Sequence, residues 1–316
     1  MRFLVPFITL FLAFKVSAQY QKPFGELKND QKYEDYEVRI YRNEKAPPDT
    51  DTDPDHQDGF GCFEILRSGQ QIYFQKGIEF EIGNIVYEGD SCRTNDLVRM
   101  GRNFTSDHQP NLLIKQWSGG AHCCYTFYIF EIGATFRFID SIDVGDGEDA
   151  DFKDLRRDGN LEVVMNDWTF RYWHTAFSSS PAPKMILRYL NGKYRPDLEL
   201  MKGPGLTEKE LEVEANDFKS QFPDSVPFDN DAKWVAPYQM WGRMLDLIYT
   251  GHINLAWKLF DLSWPVDWPR KAVFIKEFKE QLMTSPYYQD INSAGFQDGG
   301  VHKSSAQAPK HKDTLG

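Results

Sequence analysis

At 316 residues the chain is long enough for one large domain or two ordinary ones. It carries 36 basic and 47 acidic residues, a net charge of −11, and this acidity argues against nucleic acid and anionic lipid as partners, since both require a basic face. Aromatic residues make up 15% of the sequence, which points to a packed β core or to stacking platforms.

Arg2 followed by an apolar run over residues 3–14 reads as the start of a secretory signal peptide, too short to span a bilayer as a helix. Val16-Ser17-Ala18 supplies the small residues a signal peptidase reads, so cleavage is expected after Ala18 and the product is expected to be secreted or periplasmic. Cleavage leaves 34 basic against 47 acidic residues, a net charge of −13. No later segment has the length and apolarity of a membrane span. Residues 19–57 are polar and end in an Asp-rich, Pro-rich run, the composition of a linker or exposed loop.

From residue 58 the texture is β. Three hairpins are expected over residues 62–74, 127–139 and 185–194, each two runs of β-branched and aromatic residues joined at Gly69, Gly133 or Gly192. Asn191-Gly192 is the strongest tight-turn signal. Two polar loops lead into short apolar strands: Asn103-Phe-Thr105-Ser-Asp107 before the second hairpin and Asp154-Leu-Arg156-Arg-Asp158-Gly before the third. Loop, strand and hairpin thus recur in one order, which implies a repeat region over 58–202 in which each unit buries a face against the next. Three units fall short of a closed ring, so the expected fold class is α+β: an open or irregular propeller-like β region followed by a small all-helical domain over 203–290. The helical signals are a Thr207/Glu210 capping box, an apolar stripe over 238–249 stopped at Gly251, a return helix over 253–264 and a third helix from Pro269 to about Met283. Residues 291–316 have the composition of a disordered tail.

The two Asp loops resemble those of the FG-GAP/VCBS repeat family, whose blades carry an Asp-x-Asp-x-Asp-Gly calcium loop, and the stretch from Trp117 to Cys124 is similar to segments of exported bacterial proteins of that kind. The resemblance covers residues 58–200 and implies a repeat architecture with calcium as the one candidate cofactor. The loops depart from that pattern. The first offers Asn103, Thr105 and a single carboxylate, Asp107, with His108 in the glycine place. In the second, Arg156 sits at the central ligand position, where it would pair with Asp154 or Asp158 instead of admitting a cation. A further acidic stretch, Asp143, Asp146, Glu148, Asp149 and Asp151, could pool ligands with Asp154 and Asp158.

Other candidates are weighed against the same chemistry. Under strand periodicity Trp168, Phe170, Tyr172 and His174 share one face, as a sugar-binding platform would require, with Asp167 or Arg171 reaching hydroxyls. In an exported chain Cys62, Cys92, Cys123 and Cys124 read as disulfides; the favoured set joins Cys62 to Cys92 and leaves Cys123 and Cys124 to a strained vicinal bridge or to long-range bonds. Zinc at His122-Cys123-Cys124 is disfavoured because consecutive residues cannot aim three side chains at one ion. No phosphate loop, nucleophile elbow or His-Glu-x-x-His helix is present. The leading expectation is therefore an exported, non-catalytic binding or interaction module with a protein or glycan partner. The alternatives are a hydrolase of glycans or phosphoesters, using Asp146, Glu148, Asp149 and Asp151 as acid and base, and a disulfide-stabilised structural protein.

Overall fold

The computed structural model describes residues 20–43, 61–88, 91–105, 107–120, 123–147, 149–223 and 236–295. The signal segment, the Asp-rich run and the end of the tail, residues 296–316, lie outside them.

Strands β1 (Glu26–Tyr33), β2 (Tyr36–Arg42), β3 (Gly61–Arg67) and β4 (Gln70–Gly77) pair in chain order as an antiparallel meander, the outer sheet. After it come β5 (Glu79–Ile82), a two-stranded ribbon of β6 (Ile85–Glu88) and β7 (Ser91–Thr94), then β8 (Asn111–Gly120), β9 (Cys123–Ile132) and β10 (Phe136–Gly145). The central sheet has the order β5-β8-β9-β10. A third antiparallel sheet follows from β11 (Asp151–Lys153), β12 (Glu162–Asn166), β13 (Lys184–Leu190) and β14 (Lys193–Pro196), again in chain order. Among the described residues six α-helices follow: α1 (Leu198–Met201), α2 (Glu208–Ser220), α3 (Tyr238–Tyr249), α4 (Ile253–Ser263), α5 (Lys271–Leu282) and α6 (Tyr288–Gly295). The fold is α+β. Among the described residues the sheets close no ring, and no helix is long and apolar enough to cross a membrane.

The three hairpins are β3–β4, β9–β10 and β13–β14, the last two strands of each sheet. Ser68-Gly69 and Asn191-Gly192 turn with both φ angles positive, the twist that two-residue hairpins need. The expected linker is different: residues 26–42 form β1 and β2. In β2 the side chains alternate strictly, Tyr36, Val38 and Ile40 buried and Glu37, Arg39 and Tyr41 less so. Only one apolar face is needed there, so the polar composition concealed a strand.

The sheets stack in chain order. Val38, Ile40, Phe63 and Ile65 of the outer sheet pack against Leu112, Ile114, Phe130 and Ile132 of the central one. The opposite face of the central sheet presents Leu113, Phe127 and Ile129 to a second core, shared with Phe152, Val163 and Leu187 of the third sheet. Burial of each such side chain contributes about 1.5–3 kcal/mol. That second core continues without a break into the helices through Trp241, Phe260, Phe274 and Phe278, so the expected separate domain over 203–290 shares its core with the third sheet. The Thr207/Glu210 capping box is present in full. Helix α6 occupies 288–295, where the tail was expected to begin.

A polar knot fastens the helices to the sheet. Asp167, just beyond β12, is buried and accepts from the Thr169 amide at 2.9 Å, Tyr249 Oη at 2.6 Å and Ser285 Oγ at 2.7 Å. Burial, and then the charge of Asp167, push the Tyr249 hydroxyl well above its ordinary pKa and keep it a donor. Asp167→Ala would strand two buried hydroxyls at once, each costing about 1–3 kcal/mol. Urea unfolding is expected to show a loss of about 3 kcal/mol, and a loss under about 1 kcal/mol would show that the knot does not hold the helices.

Candidate functional site

The Asp loops are turns. Asn103 Oδ1 accepts from the Thr105 amide at 3.2 Å, and Thr105 Oγ1 donates to Asp107 Oδ1 at 2.8 Å. The other Asp107 oxygen faces Arg137 Nη2 at 3.3 Å, a guanidinium that also holds Glu131 at 2.7 Å. In the second loop Asp154 accepts from the amides of Asp158 at 3.0 Å and Gly159 at 3.1 Å, while Asp158 accepts from Asn160. Arg156 does not pair with Asp154 or Asp158 as expected. It reaches across to Asp197 at 2.6 Å and Glu199 at 3.1 Å, with Glu162 at 3.7 Å.

The acidic stretch is dispersed in the same way. Asp143 caps the Gly145 amide, Asp146 is held by Arg171 at 2.9 Å, and Asp149 is exposed. Asp151 is buried under Arg93 and the amides of Asn84 and Asn95, tying the β6–β7 ribbon to β11. Glu148 lies outside the described residues. Among the described residues no three His, Cys, Asp or Glu side chains are placed to share a metal ion, which corrects the pooled-ligand expectation. The reason is local: Asp143 and Asp154 cap main-chain amides, and Asp146 and Asp151 are each held by a guanidinium.

The aromatic platform is also corrected. Residues 168–177 form turns, with Tyr172 and His174 at positive φ, so strand alternation does not apply. Phe170 is buried against Phe278 at 5.0 Å, Trp168 stacks on Phe177 at 5.4 Å, Tyr172 points outward, and His174 Nε2 lies 3.2 Å from Glu277. Trp173, not among the expected residues, is the wedge, edge-on to Trp241 and Phe274.

Cys62 and Cys92 carry free thiols, which overturns their expected pairing. They lie in different layers: Cys62 is buried on β3 with Sγ directed at the Phe24 carbonyl, and Cys92 is exposed on the ribbon. His122 and the Cys123 side chain lie outside the described residues, and Cys124 is not among the free thiols.

A site that sequence reasoning missed lies on the central sheet. On β5, Phe80 and Ile82 turn toward the outer sheet, so alternation sends Glu79 and Glu81 to the other side. On β8, Leu112 and Ile114 face the outer sheet, and Lys115 and Trp117 project with the glutamates. The register pairs Glu81 with Lys115, Glu79 with Trp117, and Trp117 with Tyr125 of β9. These five side chains wall a cavity of about 160 Å³. Lys115, 2% exposed, donates through Nζ to the Ile85 carbonyl at 2.8 Å and stands 4.6 Å over the Tyr125 ring. Glu79 is held by Arg42 at 2.8 Å. Glu81 is not fully satisfied: its Oε2 is buried and has no hydrogen-bond partner. Burial pushes its carboxyl above the ordinary pKa, against the opposing pull of the Lys115 ammonium. The sequence signal was available: a lysine inside the apolar run of β8, and Glu-x-Glu alternating with Phe-x-Ile.

A second, shallower concavity of about 450 Å³ lies between Ser178–Ser180 and helices α2 and α3. Its arginine, Arg243, is already gripped by both oxygens of Glu214.

Comparison of the chain with family models, curated proteins and solved structures finds no match.

The unpartnered carboxylate predicts a cost in stability. The folded state holds the Glu81 proton more tightly than the unfolded chain, so stability falls as pH rises from the unfolded value through the raised folded one. Glu81→Gln removes the charge and is expected to raise stability at pH 7 by about 1 kcal/mol. The gain should fade as pH drops to about 3.5, below the ordinary glutamate range. Thermal unfolding across pH measures this, and a destabilised variant at pH 7 would mean that Lys115 fully compensates the carboxylate.

Proposed function

We propose that the protein is an exported binding module whose ligand enters the pocket of Glu79, Glu81, Lys115, Trp117 and Tyr125. The observation that carries this reading is the concave site itself, in which two aromatic rings stand beside two carboxylates and a lysine on neighbouring strands. Aromatic walls with a few convergent polar groups are the usual make-up of a small-ligand site. Among the described residues the pocket wall contains no Ser, Cys or His, which favours holding a ligand over attacking one. Export rests on the signal segment of residues 1–18.

The scaffold reading is propeller-like but open. Three four-stranded meanders follow one another in chain order, as blades do, and the Asp loops precede the second strand of the central and third sheets, at β8 and β12. This arrangement supports kinship with FG-GAP/VCBS-type repeats whose calcium loops have become turns, braced by Arg137 in the first and by main-chain amides in the second. The helices cover the last sheet, whose open face would otherwise be exposed.

The test is ¹⁹F NMR of protein carrying 5-fluorotryptophan, titrated with a mixture of small sugars, amino acids and nucleosides. The Trp117 resonance, assigned with Trp117→Phe, is expected to shift in a saturable way while that of Trp241, buried in the sheet–helix core, stays fixed. Saturable binding that leaves Trp117 unmoved would place the site elsewhere.

A further inference from the structure

On β3, Phe63 and Ile65 point into the core shared with the central sheet, so alternation sends Cys62, Glu64 and Leu66 to the side away from that core. All three are nonetheless buried, and Cys62 and Leu66 belong to neither hydrophobic core.

The described chain that lies over them is the segment before β1. Gln71 of β4 is its clasp. Gln71 Oε1 accepts from the Gln21 amide at 2.7 Å, and Nε2 donates to the Gln21 carbonyl at 2.9 Å and to Glu64 Oε2 at 2.7 Å. One side-chain amide thus ties the main chain above it to a buried carboxylate below, with both of its N–H groups used. Further along, Cys62 Sγ points at the Phe24 carbonyl at 3.6 Å, and Lys76 Nζ stands 5.7 Å over the Phe24 ring. Gly25, at φ +88°, then turns the chain into β1.

We infer that residues 20–24 are a strap that latches over the outer face of the outer sheet and shields the Cys62 thiol, which reacts only when the strap lifts. The latch is suited to opening. Gln21 is exposed and is held by a side chain instead of a strand ladder, and terminal segments held in this way open at far smaller cost than a whole domain unfolds. The closed state is doubly inert, because burial also pushes the thiol above its ordinary pKa and so depletes the reactive thiolate. Cys92, the other free thiol, is exposed on its ribbon. The strap therefore sets the two apart: Cys92 meets an oxidant or electrophile directly, and Cys62 only after opening.

The test is pulsed alkylation of the full chain with iodoacetamide at pH 8, with each cysteine resolved by peptide mass mapping. The thiolate displaces iodide, one C–S bond forming as the C–I bond breaks, and the thiol proton passes to buffer. Cys62 is expected to react a hundredfold or more slowly than Cys92. Gln21→Pro, which deletes the amide donated to Gln71, and Gln71→Ala should each speed Cys62 tenfold or more and leave Cys92 unchanged. Asp167→Ala, which loosens the distant sheet–helix joint, should leave Cys62 slow. Circular dichroism confirms that each variant is folded. A Cys62 as fast as Cys92 in the unaltered chain would overturn the inference. So would a slow Cys62 indifferent to both strap variants, or one speeded equally by Asp167→Ala, since the sheet or global unfolding would then govern its access.

Discussion

The central sheet has to bury both of its faces, and the rest of the molecule is arranged around that constraint. Leu112, Ile114, Phe130 and Ile132 look one way, and Leu113, Phe127 and Ile129 the other. Such a sheet cannot stand in water on either side. The outer sheet covers one face and the third sheet the other. The third sheet, left with an apolar back of its own, takes the helices, which is why one core runs from β9 to α5. Trp173 and the Asp167 knot belong to this last joint, one by packing and one by hydrogen bonds. The order of layers follows the order of the chain, so each unit meets its cover from a neighbour in sequence.

Where the doubly covered sheet reaches its end, Lys115 is buried and Glu79 and Glu81 are half-buried. Elsewhere in the molecule acidic side chains in partly dry places are answered by arginine: Arg137 for Asp107 and Glu131, Arg171 for Asp146, Arg93 for Asp151, Arg156 for Asp197. A guanidinium suits a carboxylate without needing a cation from solution. Glu81 has no such answer. Its neighbour across the register is a lysine whose ammonium is committed to a main-chain carbonyl and an aromatic face. Asp146 and Glu162 also keep one buried oxygen each without a partner, and Glu81 is the one of the three that lines the pocket.

The hairpins and helices were legible because their signals are local: Asn191-Gly192 for a tight turn, Thr207 with Glu210 for a helix start, the stripe from Met240 to Ile248 for an amphipathic face. Strands β1 and β2 were not, because a strand covered on one side needs few apolar residues, and Tyr36, Val38 and Ile40 are easily lost in a polar stretch. Residues 168–177 misled because positive φ at Tyr172 and His174 has no signature in residue type. The pocket depends on register across β5, β8 and β9, which are separated by up to 46 positions between Glu79 and Tyr125. Alternation could place Glu79 with Glu81, and Lys115 with Trp117, but not one pair beside the other. The Asp loops carried enough of a calcium pattern to suggest ligands, but Arg137, which braces the first, comes from β10, and the second closes on its own main-chain amides.

The central claim is that Glu81 lines the pocket with a carboxylate of which one oxygen is buried without a protein donor. The most direct measurement is a ¹³C NMR titration of the Glu81 side-chain carboxyl in the intact protein, assigned with Glu81→Gln. The account predicts a midpoint above the ordinary glutamate value that moves when a ligand occupies the pocket. An ordinary midpoint, unmoved by any ligand, would show that the carboxylate is already satisfied by water or by Lys115 and would contradict the account.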